Sequence, residues 1–230
     1  MLTILAILFL SYLVGSIPTS VLMGKLYGID IRQHGSGNAG ATNTFRVLGW
    51  KAGTVTLIID FAKGWVASGL IAHLRIDPIP PTLGPFDTAT LLQLIAGSMA
   101  VLGHMFPLFA GFRGGKGVAT AAGALMAIVP WSMLLSITIF VLVLVLTRYV
   151  SLASIIAVIS FPIILALQKY VLHAPLDSSL ILFSSLLALS IIFAHRSNIQ
   201  RLLQGTENRV KSFRPTKSKQ PHTNLHTRHG

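Results

Sequence analysis

Residues 118–147, VATAAGALMAIVPWSMLLSITIFVLVLVLT, decide how this chain folds. The run is uncharged and about 30 residues long, which suits either one long tilted membrane span or two short ones. Proline ends a helix that precedes it and fits the first turn of one that follows, and tryptophan favours the membrane interface. Pro130-Trp131 therefore reads as a turn, with one short span on each side.

Similar apolar runs occupy Leu2–Met23 and about Gly53–His73, Thr90–Phe106, Leu152–Tyr170 and Ser178–Ala194. With Val118–Pro130 and Trp131–Thr147 they make seven expected transmembrane helices in an all-α polytopic protein. Of the 230 residues 53% are hydrophobic and 10% charged, whereas soluble domains carry about 25% charged residues. The first run has no basic residue before it and no clear cleavage site, so it reads as an uncleaved span. There is no cysteine, which excludes disulfides, thiolate metal sites and a cysteine nucleophile.

The formal charge of +12 tests the number of spans. With seven, Lys25, Arg32, Arg46, Lys51, Arg113, Lys116 and Arg148 all face the cytoplasm, and only Arg75 and Lys169 face outward. Arg196, Arg201, Arg209, Lys211, Arg214, Lys217, Lys219 and Arg228 then also lie inside, as the positive-inside rule requires. Merging residues 118–147 into one span would put Arg148 and those eight residues outside. The N-terminus is therefore expected outside (periplasmic) and the C-terminus in the cytoplasm. Residues 1–210 form one expected domain, and residues 211–230 a basic tail, disordered or lying on anionic headgroups. Most of this charge is topological, a minority is expected to handle anionic substrate, and no nucleic-acid partner is implied.

On this topology every motif-like segment falls on the cytoplasmic face. In SGNAGATNTFR (36–46), Gly37 and Gly40 allow positive φ and close approach, so successive N–H groups can cradle an anion. Ser36, Asn38, Thr42 and Asn43 add short polar groups, and Arg46 a planar fork suited to phosphate. GFRGGKG (111–117) is not a P-loop, because Ala110 and Gly117 stand where that motif needs Gly and Ser or Thr. It remains a glycine-lined turn, with Gly114 and Gly115 beside the point charge of Lys116, ahead of a helix start that favours phosphate. Ser151 is either a helix N-cap or a ligand group. His195, Asn198 and Arg201 share one helical face, and Glu207 is expected to pair with an arginine nearby.

Two ions fall inside the second span. Asp60 and Lys63 are three apart and can pair, as a functional site or as a lock on helix packing. His104, at the end of the third span, is open to either a general-base or a structural role.

SGNAGATN (36–43), GHMFPLF…GGKGVAT (103–120) and HRSNIQRLLQGTEN (195–208) together resemble the bacterial integral-membrane acyl-phosphate:glycerol-3-phosphate acyltransferases. The resemblance covers nearly the whole chain apart from the outer loop and the tail. It implies a seven-span inner-membrane enzyme that moves a fatty acyl group from acyl phosphate to the 1-hydroxyl of glycerol 3-phosphate, releasing phosphate and needing no metal or other cofactor. It implies that Ser36, Arg46, Lys116 and His195 contact substrate phosphates. Asn38, Thr42, Asn43, Ser151 and Asn198 match polar positions around that site, and Glu207 matches the closing acid. The family often has proline where this chain has Ala39, and a basic residue where it has Ala194. The enzyme that forms acyl phosphate is an implied candidate partner, and membrane lipids surround the protein.

Both substrates carry phosphate, which explains glycine turns, cations and helix starts in one place. Acyl phosphate is already activated, so positioning and charge stabilisation are the main demands. A His-x4-Asp pair is missing at His34, His73, His104, His173 and His195. The hydroxyl proton goes either to His195 or to a substrate phosphate, and the phosphate is the preferred reading. The alternatives are a membrane transporter of a phosphorylated metabolite and a non-enzymatic membrane protein with a recruiting tail. A transporter should show polar or broken helices through the midplane, where only Asp60 and Lys63 stand.

Overall fold

In the computed structural model, which describes residues 1–210, the chain is almost entirely helical. The tail expected from Lys211 lies outside the described residues. Helices α1 (Leu2–Gly15) and α2 (Thr19–Leu26) together make an apolar stretch of 25 residues. Pro18 separates them. Proline interrupts the helical ladder, and at the break the Ile17 carbonyl accepts from the Thr19 N–H at 3.0 Å and from Lys63 Nζ at 2.9 Å.

Next come α3 (Ala41–Leu48) and α4 (Trp50–Gly69), then a small antiparallel hairpin of β1 (Thr82–Leu83) and β2 (Phe86–Asp87). Neither α3 nor the hairpin was expected from the sequence. Helices α5 (Thr88–Met105), α6 (Val118–Ile128), α7 (Pro130–Thr147), α8 (Val150–Tyr170), α9 (Ser178–Ala194) and α10 (Arg196–Leu203) follow.

The run at 118–147 does break, at Val129, and Pro130 is the first residue of α7. The two pieces are unequal. With 11 residues α6 is about 16 Å long, roughly half the hydrocarbon thickness. By length and composition the described residues hold five helices able to cross a membrane, or six if α9 and α10 count as one span bent by 60°. The seventh expected span corresponds to α6, which does not meet that length on its own. It runs beside the second half of α4. Gly64 packs against the Thr120 carbonyl and Gly123 against that of Phe61, while Ala127 lies beside Gly69. Only glycine permits so close an approach of the two backbones.

The helices pack α1 on α5, α7 on α8 and α8 on α9, around a core of Leu94, Leu125, Met133, Phe161, Leu165 and Leu180. Phe9, Leu146, Leu189 and Phe193 are largely exposed, as in a protein solvated by lipid. This is a multi-pass membrane protein.

One end of the bundle gathers Met1, whose ammonium pairs with Asp77, and Asp177, which accepts from the Asp87 N–H at 2.9 Å. The other end gathers residues 24–48, 106–117, 147–150 and 195–210. All the sequence motifs lie there.

Candidate functional site

At the motif end a cavity of about 870 Å3 opens between the helices, within the range of ligand pockets. Its polar wall begins with the loop before α3. Asn43, 1% exposed, organises that loop. Its Oδ1 accepts from the Ser36 N–H at 2.9 Å and its Nδ2 donates to the carbonyls of Ile31 and His34. Arg46 Nη1 donates to the same oxygen at 3.4 Å. The amide is thus used within the loop, leaving Ser36, Asn38, Thr42 and Arg46 to face the cavity. Gly37 has φ +72°, whereas Gly40 is extended and caps α3.

The second wall comes from residues 111–117. Gly114 and Gly115 do not line the cavity. Their N–H groups donate to the carbonyls of Met105 and His104, each at 3.1 Å. They are glycines because the loop folds tightly against the end of α5. Gly117, with φ +81°, turns the chain into α6 and leaves Lys116 pointing across the cavity to donate to Asn198 Oδ1.

The third wall centres on Glu207, whose side chain is 5% exposed. Oε1 accepts from Ser151 Oγ at 3.1 Å and Asn198 Nδ2 at 2.8 Å, and Oε2 accepts from Arg201 Nε at 2.7 Å. Ser151 is therefore not an N-cap: Tyr149 holds that position of α8, and the hydroxyl binds Glu207 instead. Farther along the chain, Arg209 lies over the Tyr149 ring and donates to its hydroxyl at 2.7 Å, and the Val210 N–H donates to the Arg148 carbonyl at 2.8 Å. This strap carries Glu207, and no periodicity in the sequence announced it.

His195, just beyond the end of α9, is 3% exposed. Its Nδ1 lies 2.8 Å from the Ile191 carbonyl, which can only accept, so Nδ1 carries the proton and Nε2 is left as an acceptor. Burial and the nearby Lys116 charge lower its pKa to about 4. The imidazole is neutral at physiological pH. Burial, with Arg201 and Arg46 adding to it against the pull of Glu207, lowers Lys116 to about 8. Burial also lowers Arg46, though an arginine stays charged.

Ala41 and Thr42 at the start of α3, Val118 and Ala119 at the start of α6, and Val150 and Ser151 at the start of α8 all line the cavity. Three helix N-termini thus join Arg46 and Lys116, which, like Arg196 at the start of α10, have no carboxylate partner among the described residues. From this polar end an apolar arm runs between α6, α7, α8 and α9, past Phe140 and Ala188 to Met133 and Phe161. From Ser151 to Phe161 it is about 15 Å long, at the rise of an α-helix. Nothing in the sequence marks this arm, because its residues read as ordinary lipid-facing or core positions.

Asp60 and His104 line the cavity, whereas Lys63 does not. Asp60 and Lys63 do pair, at 2.8 Å.

Fold and cavity define a class: a multi-pass membrane protein whose cation-lined chamber is continuous with an apolar one. Residues 5–205 match the family model described as glycerol-3-phosphate acyltransferase. Glycerol-3-phosphate acyltransferase of Salinibacter ruber is 54% identical over 91% of this chain and 93% of its own length. That of Chlorobaculum tepidum is 51% identical over 91% and 97%. The crystal structure of PlsY (YgiH), an integral membrane glycerol 3-phosphate acyltransferase, in its glycerol 3-phosphate form superposes with a TM-score of 0.76. It is 37% identical, over 90% of this chain and 95% of that one. The lysophosphatidic acid form gives a TM-score of 0.73 at the same identity. The chain belongs to the glycerol-3-phosphate acyltransferase family.

Proposed function

We propose that this enzyme transfers a fatty acyl group from acyl phosphate to the 1-hydroxyl of glycerol 3-phosphate, forming lysophosphatidate and inorganic phosphate. One observation carries the reading. A single cavity joins unpaired cations and helix N-termini to an apolar arm of the kind that receives an acyl chain. We place the site at the cytoplasmic face of the bacterial inner membrane, in a chain that crosses seven times with its N-terminus outside. In that topology α6 and the glycine loop before it make one crossing together. Residues 1–210 act as the catalytic domain. A transporter reading is less favoured, because the far end of the arm closes on the apolar core around Leu125, Met133 and Phe161.

Arg46, Lys116, Ser36 and the helix starts hold the two phosphates, with Asn38 and Thr42 beside them. Glu207 holds Ser151, Asn198 and Arg201 around them. The hydroxyl oxygen attacks the acyl carbonyl carbon, the bond from that carbon to the phosphate oxygen breaks, and the phosphate leaves with the electron pair. The hydroxyl proton goes to a substrate phosphate. A phosphate monoester protonates with a pKa of about 6, so it is a stronger base than an imidazole lowered to about 4. His195 Nε2 then orients the hydroxyl. His195→Gln should keep more than roughly a tenth of wild-type turnover, since a general base contributes 10²–10⁴-fold. A loss beyond about 100-fold in a folded variant would return the base role to His195.

The protonated form of Lys116 binds phosphate, so kcat/KM for glycerol 3-phosphate should fall as pH rises through about 8, where the free enzyme loses that proton. A profile flat well above that pH would mean the charge is not used.

The direct test supplies purified protein with palmitoyl phosphate and follows inorganic phosphate. Release should require glycerol 3-phosphate and match lysophosphatidate one to one. Release without acceptor would make the protein a hydrolase, and none from folded protein would turn the question to transport.

A further inference from the structure

Three ionisable side chains inside the bundle take no part in this scheme. Lys63 Nζ lies 2.8 Å from Asp60 Oδ1 on α4. His104, near the end of α5, places Nδ1 3.6 Å from that oxygen and 3.3 Å from Lys63 Nζ. Lys63 also holds the Ile17 carbonyl at 2.9 Å. The three side chains are 3%, 4% and 6% exposed. A buried ion pair gains little over apolar packing of the same volume, and its best-attested use is to fix one arrangement of the elements it joins.

What this cluster fixes lies on the far side of the imidazole. Gly115 donates its N–H to the His104 carbonyl at 3.1 Å. A Cβ added to Gly115 would overlap His104 Nε2 and stand 2.9 Å from the Ala39 carbonyl oxygen. The glycine hairpin is thus wedged between His104 and the 36–43 loop, and the next residue is Lys116.

We infer that His104, held by Lys63, which is itself paired with Asp60, is the positioning residue for Lys116. Its imidazole sets how far the Gly114–Gly115 hairpin stands from the 36–43 loop, and so where the ammonium meets substrate phosphate. The inference rests on the proposed phosphate-binding role of Lys116. The groups around that ammonium are Arg46, His195, Arg201 and Glu207, with neutral Asn198 in contact. If the hairpin loosens, Lys116 leaves this surrounding for water.

The test compares His104→Ala, Gly115→Ala and the double variant through kcat/KM for glycerol 3-phosphate across the alkaline limb, with thermal unfolding in detergent measured alongside. In His104→Ala the limb should move to higher pH, because the released ammonium recovers its hydration. Gly115→Ala should lose roughly 100-fold, mainly in KM, as expected for a misplacement near 1 Å. The double variant should be no worse than the poorer single one, because removing the imidazole makes room for the methyl group. An unmoved limb, or losses that multiply, would overturn the inference. If His104→Ala does not fold, Gly115→Ala is read for the same shift, and an unmoved limb there overturns it. Lys116→Met separates the two readings. If it keeps the wild-type limb, the phosphate role of Lys116 fails; if it abolishes the limb while the His104 and Gly115 variants leave theirs unmoved, only the positioning role fails.

Discussion

Lys116→Met should lower kcat/KM for glycerol 3-phosphate by about 10²–10³-fold while the protein stays folded. Methionine keeps the length and apolar stem of lysine and removes only the ammonium. That ammonium lines the cavity with no carboxylate partner among the described residues, and it already reaches across to Asn198. Removing one preorganised donor from an oxyanion-type site costs about 10²–10³-fold. A buried cation facing transferred phosphate belongs in that range. The measurement is steady-state kinetics with each substrate varied, beside a melting curve in detergent. Survival of both kcat and KM would mean that the cradle is not where phosphate sits.

Glu207→Ala should have the second-largest effect, and it should lower activity and stability together. The carboxylate accepts from Ser151, Asn198 and Arg201, which come from two helices. Without it those donors lose their acceptor, and Arg201 adds an uncompensated charge beside Arg46 and Lys116. Breaking a buried pair on one side destabilises by about 3–5 kcal/mol, and the partial exposure of Arg201, at 33%, places this case at the low end. Turnover should fall on the order of 100-fold, because Asn198 is the group that meets Lys116. Glu207→Gln keeps one carbonyl acceptor for Ser151 and Asn198 and should fall between. An alanine variant with normal turnover and an unchanged melting point would contradict this account.

The sequence carried the bundle and most of the polar wall. Apolar runs locate membrane helices because lipid leaves the backbone no other partner, and α9 begins and ends at the expected residues. Pro130 marked the break in the deciding stretch because its ring fits only the first turn of a helix. What the run could not reveal is that α6 stops so short, since hydropathy does not register where a helix gives way to the glycine loop before it. Amphipathic α3 and the 82–87 hairpin were missed for a related reason: polar, glycine-rich segments read as loops. Gly114 and Gly115 illustrate a subtler limit. Glycines beside a lysine fit a phosphate nest, but here the missing side chains make room for the end of α5, including the His104 imidazole. The apolar arm was illegible because a position lining a ligand chamber and one lining a core carry the same residues.

The most direct measurement gives purified protein labelled glycerol 3-phosphate with palmitoyl phosphate, with palmitoyl-CoA, or with no donor. Lysophosphatidate formed only with palmitoyl phosphate is the expected result. Product with palmitoyl-CoA and none with palmitoyl phosphate would keep the family and contradict the donor around which the two-phosphate cavity is proposed.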